Sequence, residues 1–549
     1  MEYIKLGYDE KKGLGTLTCR GSLLSTLRDA FSVFDPASKA KRRFSNRKIP
    51  TRKYAITQSG QFEVGLMYEI RKWLNDNKVE YKFDVTPEFL AAYDSRFSFS
   101  QDVKLEDVEP LSLVPRDYQT EGVYNALKYG SGTFVFPTAS GKTLFMAMTI
   151  HNILKRQPDA KFLLVTLTSL VEQTHGDFVS YGMNSDKMSM WTGTHPFSNT
   201  QIVVAGSDIV GGQLYVAGDE IEKAKKRLNA EMKRRSQLVE KGMDCSDADS
   251  KIEKCNKTLE KMIKREAVNI EMLEYFANVD VLMIDEVHQF KKGNVISDLA
   301  YYVPTKHKFG YTGTLPTDNI DVWTIIGRIG PVRQTVQRDT LVAQGSIADV
   351  EIKVVGLGYK DDPKYERELD FSDATNLTKN FLIEVDFLIN SEFRNSVIAK
   401  ITSSVSKNCL VIVHRIAHGE KMLETIKKAC PNKDVYFIQG EVEDEVREEI
   451  KACMEKGDNV VCIAISKIFS TGVNIKNLHY IVFANAGKAR VSIIQSIGRG
   501  ARMMNGKSKV CVFDIYDKLR YGERHYAERK QIYDTEGFKY ETVSLFEGC

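Results

Sequence analysis

Apolar positions in this chain cluster into two series of short, nearly continuous hydrophobic segments, each series interleaved with stretches of helical period. The first series is Gly132–Phe136 (GTFVF), Lys161–Thr166 (KFLLVT), Gln201–Ala205 (QIVVA), Val279–Ile284 (VDVLMI) and Lys308–Tyr311. The second begins near Ile352 and continues through Cys409–Val413 (CLVIV), Val435–Ile438, Val460–Ala464 (VVCIA), Tyr480–Phe483 (YIVF) and Lys509–Ile515 (KVCVFDI). Strands apolar on both faces and separated by helices predict parallel sheets covered on both sides, hence an α/β fold with two such lobes. Ahead of them, residues 1–98 predict a small α+β domain. Glu2–Leu6, Leu14–Cys19 and Lys53–Thr57 have strand patterns, and Gln61–Asn75 is helical, with Val64, Met67, Tyr68, Ile70 and Leu74 on one face. Gln101–Pro110 then reads as a linker. The division expected is 1–98, a first lobe at 111–340, a second at 350–520, and a tail at 521–549 packed on the second lobe.

One segment interrupts the first series. Residues Asp219–Glu271 carry almost no strand signal, and two apolar stripes (Ile221, Ala224, Leu228, Met232; Ile252, Leu259, Met262, Ile263) flank a polar stretch at Gly242–Ser250. An antiparallel helical hairpin is predicted. Its 14 basic and 12 acidic residues fit a solvated insertion, with contact to DNA or to a partner protein as the alternatives.

Composition adds constraints. Of 549 residues 42% are hydrophobic and 27% charged, which excludes long disorder and calls for several domains. Net charge is only +4, so a polyanionic partner must be sought locally. Lys39–Lys53 holds eight cations and no acid, including Arg42, Arg43, Arg47 and Lys48, interleaved or flanked by Phe31, Phe34, Phe44 and Tyr54. Such a run suits a phosphate-neutralising surface with rings against bases; a small core with lysines outside is the plainer alternative. Nine scattered cysteines without a CxxC pair suit reduced thiols, and the histidines form no metal-spaced group with them. No stretch of apolar residues is long enough to cross a bilayer, and MEYIKLGYDEKKG lacks the apolar core of a signal peptide. A soluble, intracellular protein without membrane contact is expected.

Two motifs carry chemistry. Pro137-Thr138-Ala139-Ser140-Gly141-Lys142-Thr143 lies between a strand and a helix. Small residues let successive N–H groups face a phosphate at the helix's positive end; Lys142 can reach the β- and γ-phosphates, and the Thr143 hydroxyl can ligate Mg²⁺. Pro137 stands where the common form has its first glycine. Asp285-Glu286-Val287-His288 leaves the carboxyl end of a strand, where open parallel sheets present ligands. There Asp285 is placed to hold the Mg²⁺ shell and Glu286 to polarise an attacking water. By contrast Asp514 and Asp517, in FDIYDKL, read as solvated carboxylates ending a strand, not as a metal pair.

The ordered set of motifs between about residues 111 and 515 resembles the superfamily 2 helicases, translocases with two RecA-like lobes. Asp285-Glu286-Val287-His288 looks like their Walker B box, and Arg116 and Gln119 in LVPRDYQ like the element that helps recognise adenine. Leu167–Gln173, with Thr168, matches a strand-contacting segment, and Gly206-Ser207 a later element of the same lobe. Thr312-Gly313-Thr314 matches the box that, with His288, couples hydrolysis to lobe movement. In the second lobe, Ser470–Asn474 (with Gly472) and Gln495–Arg502 match the last two boxes. The resemblance implies ATP and Mg²⁺ as cofactors, with Gln495, Arg499 and Arg502 completing the nucleotide site. His414-Arg415, after a second-lobe strand, is a further candidate nucleic-acid contact. Within the superfamily the DEVH and QSIGRGAR forms, the N-terminal domain and Arg524–Glu541 resemble phage recombination helicases. This implies branched or duplex DNA as partner and a bacterial cytoplasm as location. An RNA helicase and the translocating subunit of a restriction or defence complex are the alternatives.

Overall fold

The computed structural model describes residues 1–10, 12–35, 51–94, 102–137, 139–213, 218–289, 295–316, 318–360, 365, 369, 377–439, 444–465, 477–484 and 509–547. These separate into two compact units, Met1–Val135 with Thr143–Thr335, and Phe136–Lys142 with Val336–Cys549.

In the first unit the N-terminal region forms a four-stranded mixed sheet from β1 (Glu2–Asp9), β2 (Leu14–Thr18), β5 (Gln61–Phe62) and β6 (Tyr81–Val85), in the order β5-β2-β1-β6. A two-stranded ribbon, β3 (Ser32–Phe34) with β4 (Arg52–Tyr54), stands beside it. The predicted 61–75 helix divides: Gln61–Phe62 pairs as a strand, Val64–Leu66 makes a 3₁₀ turn, and the α-helix runs Met67–Asp76. Ile4, Leu6, Leu27, Phe62, Ile70 and Leu74 fill the core beneath.

The first lobe is a seven-stranded sheet, every pairing parallel, from β7 (Gly132–Val135), β8 (Phe162–Thr166), β9 (Met188–Trp191), β10 (Ile202–Gly206), β11 (Val281–Asp285), β12 (His307–Thr312) and β13 (Val332–Thr335). Their order, β13-β7-β12-β11-β8-β10-β9, puts β7, β12, β11 and β8 side by side, so their carboxyl ends share one edge. Four-residue burial along β7 and along Val281–Ile284 is why these strands read as unbroken apolar runs. The N-terminal domain is fastened to this lobe by the Asn319–Arg328 helix. Trp323 meets the Phe31 ring at 5.1 Å, and Arg328 Nε donates to Glu63 at 3.1 Å. A Cβ on Gly327 would stand 2.3 Å from Glu63 Cβ, so this approach requires glycine.

The insertion is a hairpin of two long helices, Gly218–Glu240 and Ser246–Ala277, joined by a turn shorter than the sequence suggested. The second helix outruns the predicted boundary, because Met272, Tyr275 and Phe276 enter the lobe's core beside Trp191, Leu282 and Val303. Met232, expected on the inward stripe, is 51% exposed.

In the second unit seven strands again pair parallel, in the order β16-β17-β15-β18-β19-β14-β20. They are β14 (Asp349–Gly358), β15 (Cys409–Val413), β16 (Asp434–Ile438), β17 (Val460–Ile465), β18 (Tyr480–Phe483), β19 (Lys509–Asp517) and β20 (Lys539–Glu547). The C-terminal stretch supplies the Arg520–Glu536 helix and the edge strand β20, which pairs along β14. Both lobes are thus parallel-sheet, RecA-like layers, with the smaller mixed α+β region ahead of the first.

Candidate active site

The chain leaves β7 at Val135 and enters the Lys142–Arg156 helix seven residues later. In between, Ala139 (φ +70°) and Gly141 (φ +83°) take left-handed conformations on either side of Ser140. Alternation of this kind curls backbone N–H groups toward one concavity, and the following helix adds its positive end. Lys142 and Thr143, half-buried, open that helix, and Ser140 is buried beneath the turn. Alanine in the left-handed region costs about 1 kcal/mol, a strain that a glycine at 139 would not carry. A concavity of N–H groups with a lysine and a hydroxyl at its rim fits a nucleotide's phosphates, and a carboxylate such as Asp285 at the carboxyl end of β11 suits a hydrated divalent cation.

The Asp285 carboxylate accepts two described hydrogen bonds: Thr166 Oγ1 donates to Oδ2 at 3.1 Å, and the Glu286 N–H donates to Oδ1 at 3.0 Å. Thr166 is in position because β11 and β8 run in register, Ile284 beside Val165. Sequence reasoning did not single out Thr166; its signal was a threonine ending the neighbouring apolar strand. Glu286 then sits at φ +52°, a conformation that glutamate rarely adopts.

His288 joins this turn to the next strand. Its Nδ1 lies 2.9 Å from Thr312 Oγ1 and 3.2 Å from Glu286 Oε2, and Thr312 Oγ1 donates to the Thr314 carbonyl at 2.7 Å. The Thr312 proton being committed to Thr314, the hydroxyl accepts from His288, which places the imidazole proton on Nδ1. Glu286, His288, Thr312 and Thr314 therefore form one chain from the end of β11 to the end of β12. Thr314 takes part through its backbone carbonyl.

The remaining first-lobe candidates fall into two groups. Arg116 precedes the Asp117–Tyr129 helix, and Gln119 Oε1 accepts the Arg116 N–H at 2.8 Å, closing the helix's first turn. Arg116 Nη1 also donates to Tyr118 Oη at 2.8 Å, and burial raises the Tyr118 phenol. At the ends of β8 and β10, Thr168 Oγ1 donates to Asp208 Oδ2 at 3.1 Å. A Cβ on Gly206 would lie 2.7 Å from Thr168 Oγ1, so the Gly206-Ser207 turn presses on Thr168 and Ser207 itself is buried.

In the second unit His414 is exposed at the end of β15, and Arg415 Nη1 donates to Asp386 Oδ1 at 2.9 Å. Gly472, Gln495, Arg499, Arg502 and, in the N-terminal domain, Arg42, Arg43, Arg47 and Lys48 lie outside the described residues.

The expectation for Asp514 and Asp517 is overturned. Both are buried, and each is held by an arginine and a tyrosine. Arg529 Nε donates to Asp514 Oδ2 at 3.0 Å, and Tyr533 Oη reaches the same oxygen at 3.0 Å. Arg394 Nε and Nη2 bracket Asp517 at 2.9 and 3.1 Å, with Tyr359 Oη at 2.5 Å. An odd offset of three sends the two carboxylates to opposite faces of β19, one to the Arg520–Glu536 helix, the other to the Glu392–Ser404 helix. Burial and the neighbouring aspartate raise the Tyr359 and Tyr533 phenols. Among the described residues no acid, histidine and cysteine cluster could hold a metal.

Comparison with known proteins defines the class. Residues 112–317 match the type III restriction enzyme res subunit family and residues 393–504 the helicase conserved C-terminal domain. The chain has the architecture of a superfamily 2 helicase, and these catalytic domains make it an ATP-dependent helicase enzyme.

More particularly, it is similar to the ATP-dependent DNA helicase uvsW of Enterobacteria phage T4, 24% identical over 556 residues covering 96% of this chain and 97% of that one. Putative helicase 22 of a Sulfolobus islandicus filamentous virus is 24% identical over 75% of this chain and 66% of its own length. The crystal structure of T4 UvsW aligns over 99% of both chains at 20% identity, TM-score 0.42. The type ISP restriction-modification enzyme LlaBIII, bound to DNA, aligns over 87% of this chain and 34% of its own at 10% identity, TM-score 0.50, a likeness of fold. Among the described residues no helix is long and apolar enough to cross a membrane.

Proposed function

We propose that the enzyme acts on DNA, remodelling or branch-migrating recombination and replication-fork intermediates. The relation to T4 uvsW carries this reading, because it runs from end to end and takes in the N-terminal domain as well as both lobes. ATP supplies the transferable phosphoryl group and Mg²⁺ neutralises charge on it. The Ser140 and Gly141 amides and Lys142 would hold the phosphates, Thr143 and Asp285 the metal, and Arg116 and Gln119 the base. Glu286 would orient the attacking water, held by the Asp285 oxygen at its N–H and by His288 at its carboxylate. Strain at Glu286 supports this, since side chains at positive φ collect where function over-determines the backbone. His288, Thr312 and Thr314 would report the state of that water site to β12. Gly472, Gln495, Arg499 and Arg502 would complete the site from the second lobe, and Thr168, Ser207, His414 and Arg415 would touch the strand.

The match of residues 112–317 to a restriction subunit supports a second reading, a translocating component of a restriction complex. ATP turnover measured side by side with single-stranded DNA, duplex, a four-way junction and RNA separates these. The junction should stimulate most, with K142A as the inactive control. Stimulation by RNA equal to that by DNA would overturn the DNA assignment. Equal stimulation by linear duplex and junction would favour the restriction reading.

A further inference from the structure

The helical hairpin lies outside every motif used above, yet its charge is arranged. Residues 224–242 carry seven cations (Lys225, Lys226, Arg227, Lys233, Arg234, Arg235, Lys241) against two acids, Glu231 and Glu240. Two of the cations serve the hairpin itself: Arg234 reaches Asp247 at 3.6 Å, and Arg235 Nε donates to Asp249 Oδ1 at 2.5 Å. Lysines of the second helix are likewise answered within it, Lys251 by Asp247 at 2.8 Å and Lys257 by Glu253 at 2.6 Å. Lys226, Lys233 and Lys241 are different. All are exposed, and among the described residues none lies within ion-pair distance of an acid.

Their spacing, seven and eight residues, puts them on one face of the first helix and its turn, away from the face where Ala224, Leu228, Glu231 and Leu238 are half-buried. Each step is about 10–12 Å along a helix rising 1.5 Å per residue, or about three base-pair steps of a duplex whose phosphates recur every 3.4 Å per strand. Asn229, Ala230, Gln237 and one acid, Glu240, share this exposed face, so three lysines stand against a single carboxylate and no large apolar anchor. The centres of protein interfaces are depleted in lysine and built on aromatic or aliphatic anchors, which makes this a poor protein-docking face. Met232 and Val239, 51% and 55% exposed, stand on a flank of the same helix.

We infer that the outward face of the hairpin's first helix, Lys226, Lys233 and Lys241, is a second, sequence-independent contact for the phosphate backbone of duplex DNA. The inference rests on the DNA reading above and adds to it a surface that none of the helicase motifs contains. A straight arm about 34 Å long in its 23-residue first helix can lie along a duplex arm while the motor works on another.

The test is a salt titration of four-way-junction binding by the full chain. It compares K226Q/K233Q/K241Q with K251Q/K254Q/K257Q, which removes equal charge from the second helix. Circular dichroism and melting confirm folding of both. The first variant should bind the junction at least tenfold more weakly near 0.1 M salt, and its log-affinity slope should flatten by about 2 to 3, near 0.9 per lost contact. The second should lose less than half as much. Equal losses in the two variants would reduce the effect to net charge and overturn the inference. Unchanged binding by the first would overturn it and return the hairpin to a solvated insertion. Wild-type protein that shows no salt-dependent DNA binding would instead sink the DNA reading itself.

Discussion

Two pairs of acidic residues occupy the same place in the fold, the carboxyl end of a parallel strand, and meet opposite fates. At the end of β11, Asp285 is met by a hydroxyl and an amide, Glu286 is 16% exposed at positive φ, and a histidine bridges to the next strand. At the end of β19, Asp514 and Asp517 are clamped by arginines inside the lobe, their oxygens spent on guanidinium and phenol groups. A strand end is therefore a position of opportunity, not a site. What decides is whether a helix packed on the sheet brings a cation to the carboxylate. Arg394 and Arg529 do so from opposite faces, and each thereby pins one helix to β19. Ion pairs this deeply buried set geometry more than they add stability, but losing one partner strands the other charge.

That contrast can be broken. The largest effect is expected at Glu286: E286Q should lower steady-state ATP turnover by about 10²–10⁴, the range of a lost general base, with nucleotide binding retained. Hydrolysis near the wild-type rate would return Glu286 to the merely structural class of Asp514. Next, R394M should cost about 3–5 kcal/mol in denaturant unfolding by leaving Asp517 buried without its cation. A cost below about 1 kcal/mol would mean that water reaches Asp517 and the clamp is not what distinguishes the two strand ends.

A third test sharpens the first-lobe side. T312V removes the acceptor for His288 and the donor to Thr314, each worth about 1 kcal/mol. Strand separation per ATP should fall several-fold, while T314A, which keeps its carbonyl, should change it little. Equal losses in both would detach coupling from the hydrogen-bond chain.

The effect smallest at neutral pH concerns His418, buried in the second lobe with Nε2 3.3 Å from Asn395 Oδ1. Burial first, then Arg394 and Lys421, push its pKa down to about 3. The folded lobe keeps it neutral where the unfolded chain would protonate it. Its contribution is thus present above about pH 6.5, the ordinary histidine value, and is lost as pH falls toward the folded pKa, at up to about 1.4 kcal/mol per pH unit. H418N should flatten the acid limb of stability between those values. An unchanged limb would show that other groups govern it.

Both sheets and the turn between β7 and the Lys142–Arg156 helix were legible in the sequence, because each depends on local rules. An all-buried parallel strand is apolar throughout, and a phosphate cradle needs small residues next to a helix start. Edge strands were less legible. Met188–Trp191, Val332–Thr335 and Lys539–Glu547 mix polar with apolar residues, since an edge or solvent-facing strand need not be apolar on both faces.

Partnership, not pattern, accounts for the rest. Thr166 acquires its part only through the β8–β11 register, and Asp514 reads like any acid ending a strand until Arg529, fifteen residues on, folds back over it. Met232 left its predicted inward stripe: the half-buried positions of the first helix are Ala224, Leu228, Glu231 and Leu238, and Arg234 and Arg235 pair with Asp247 and Asp249 of the second. The sequence by itself determined where the sheets lie and which short turn leads from β7 into the Lys142–Arg156 helix, since those are fixed by residue type and short spacing. Only the tertiary structure decided which carboxylates are neutralised, which lysines stand unpaired and which helix carries the N-terminal domain. Those outcomes depend on charges and rings brought within a few ångströms from positions tens to hundreds of residues away, and chain order does not encode that distance.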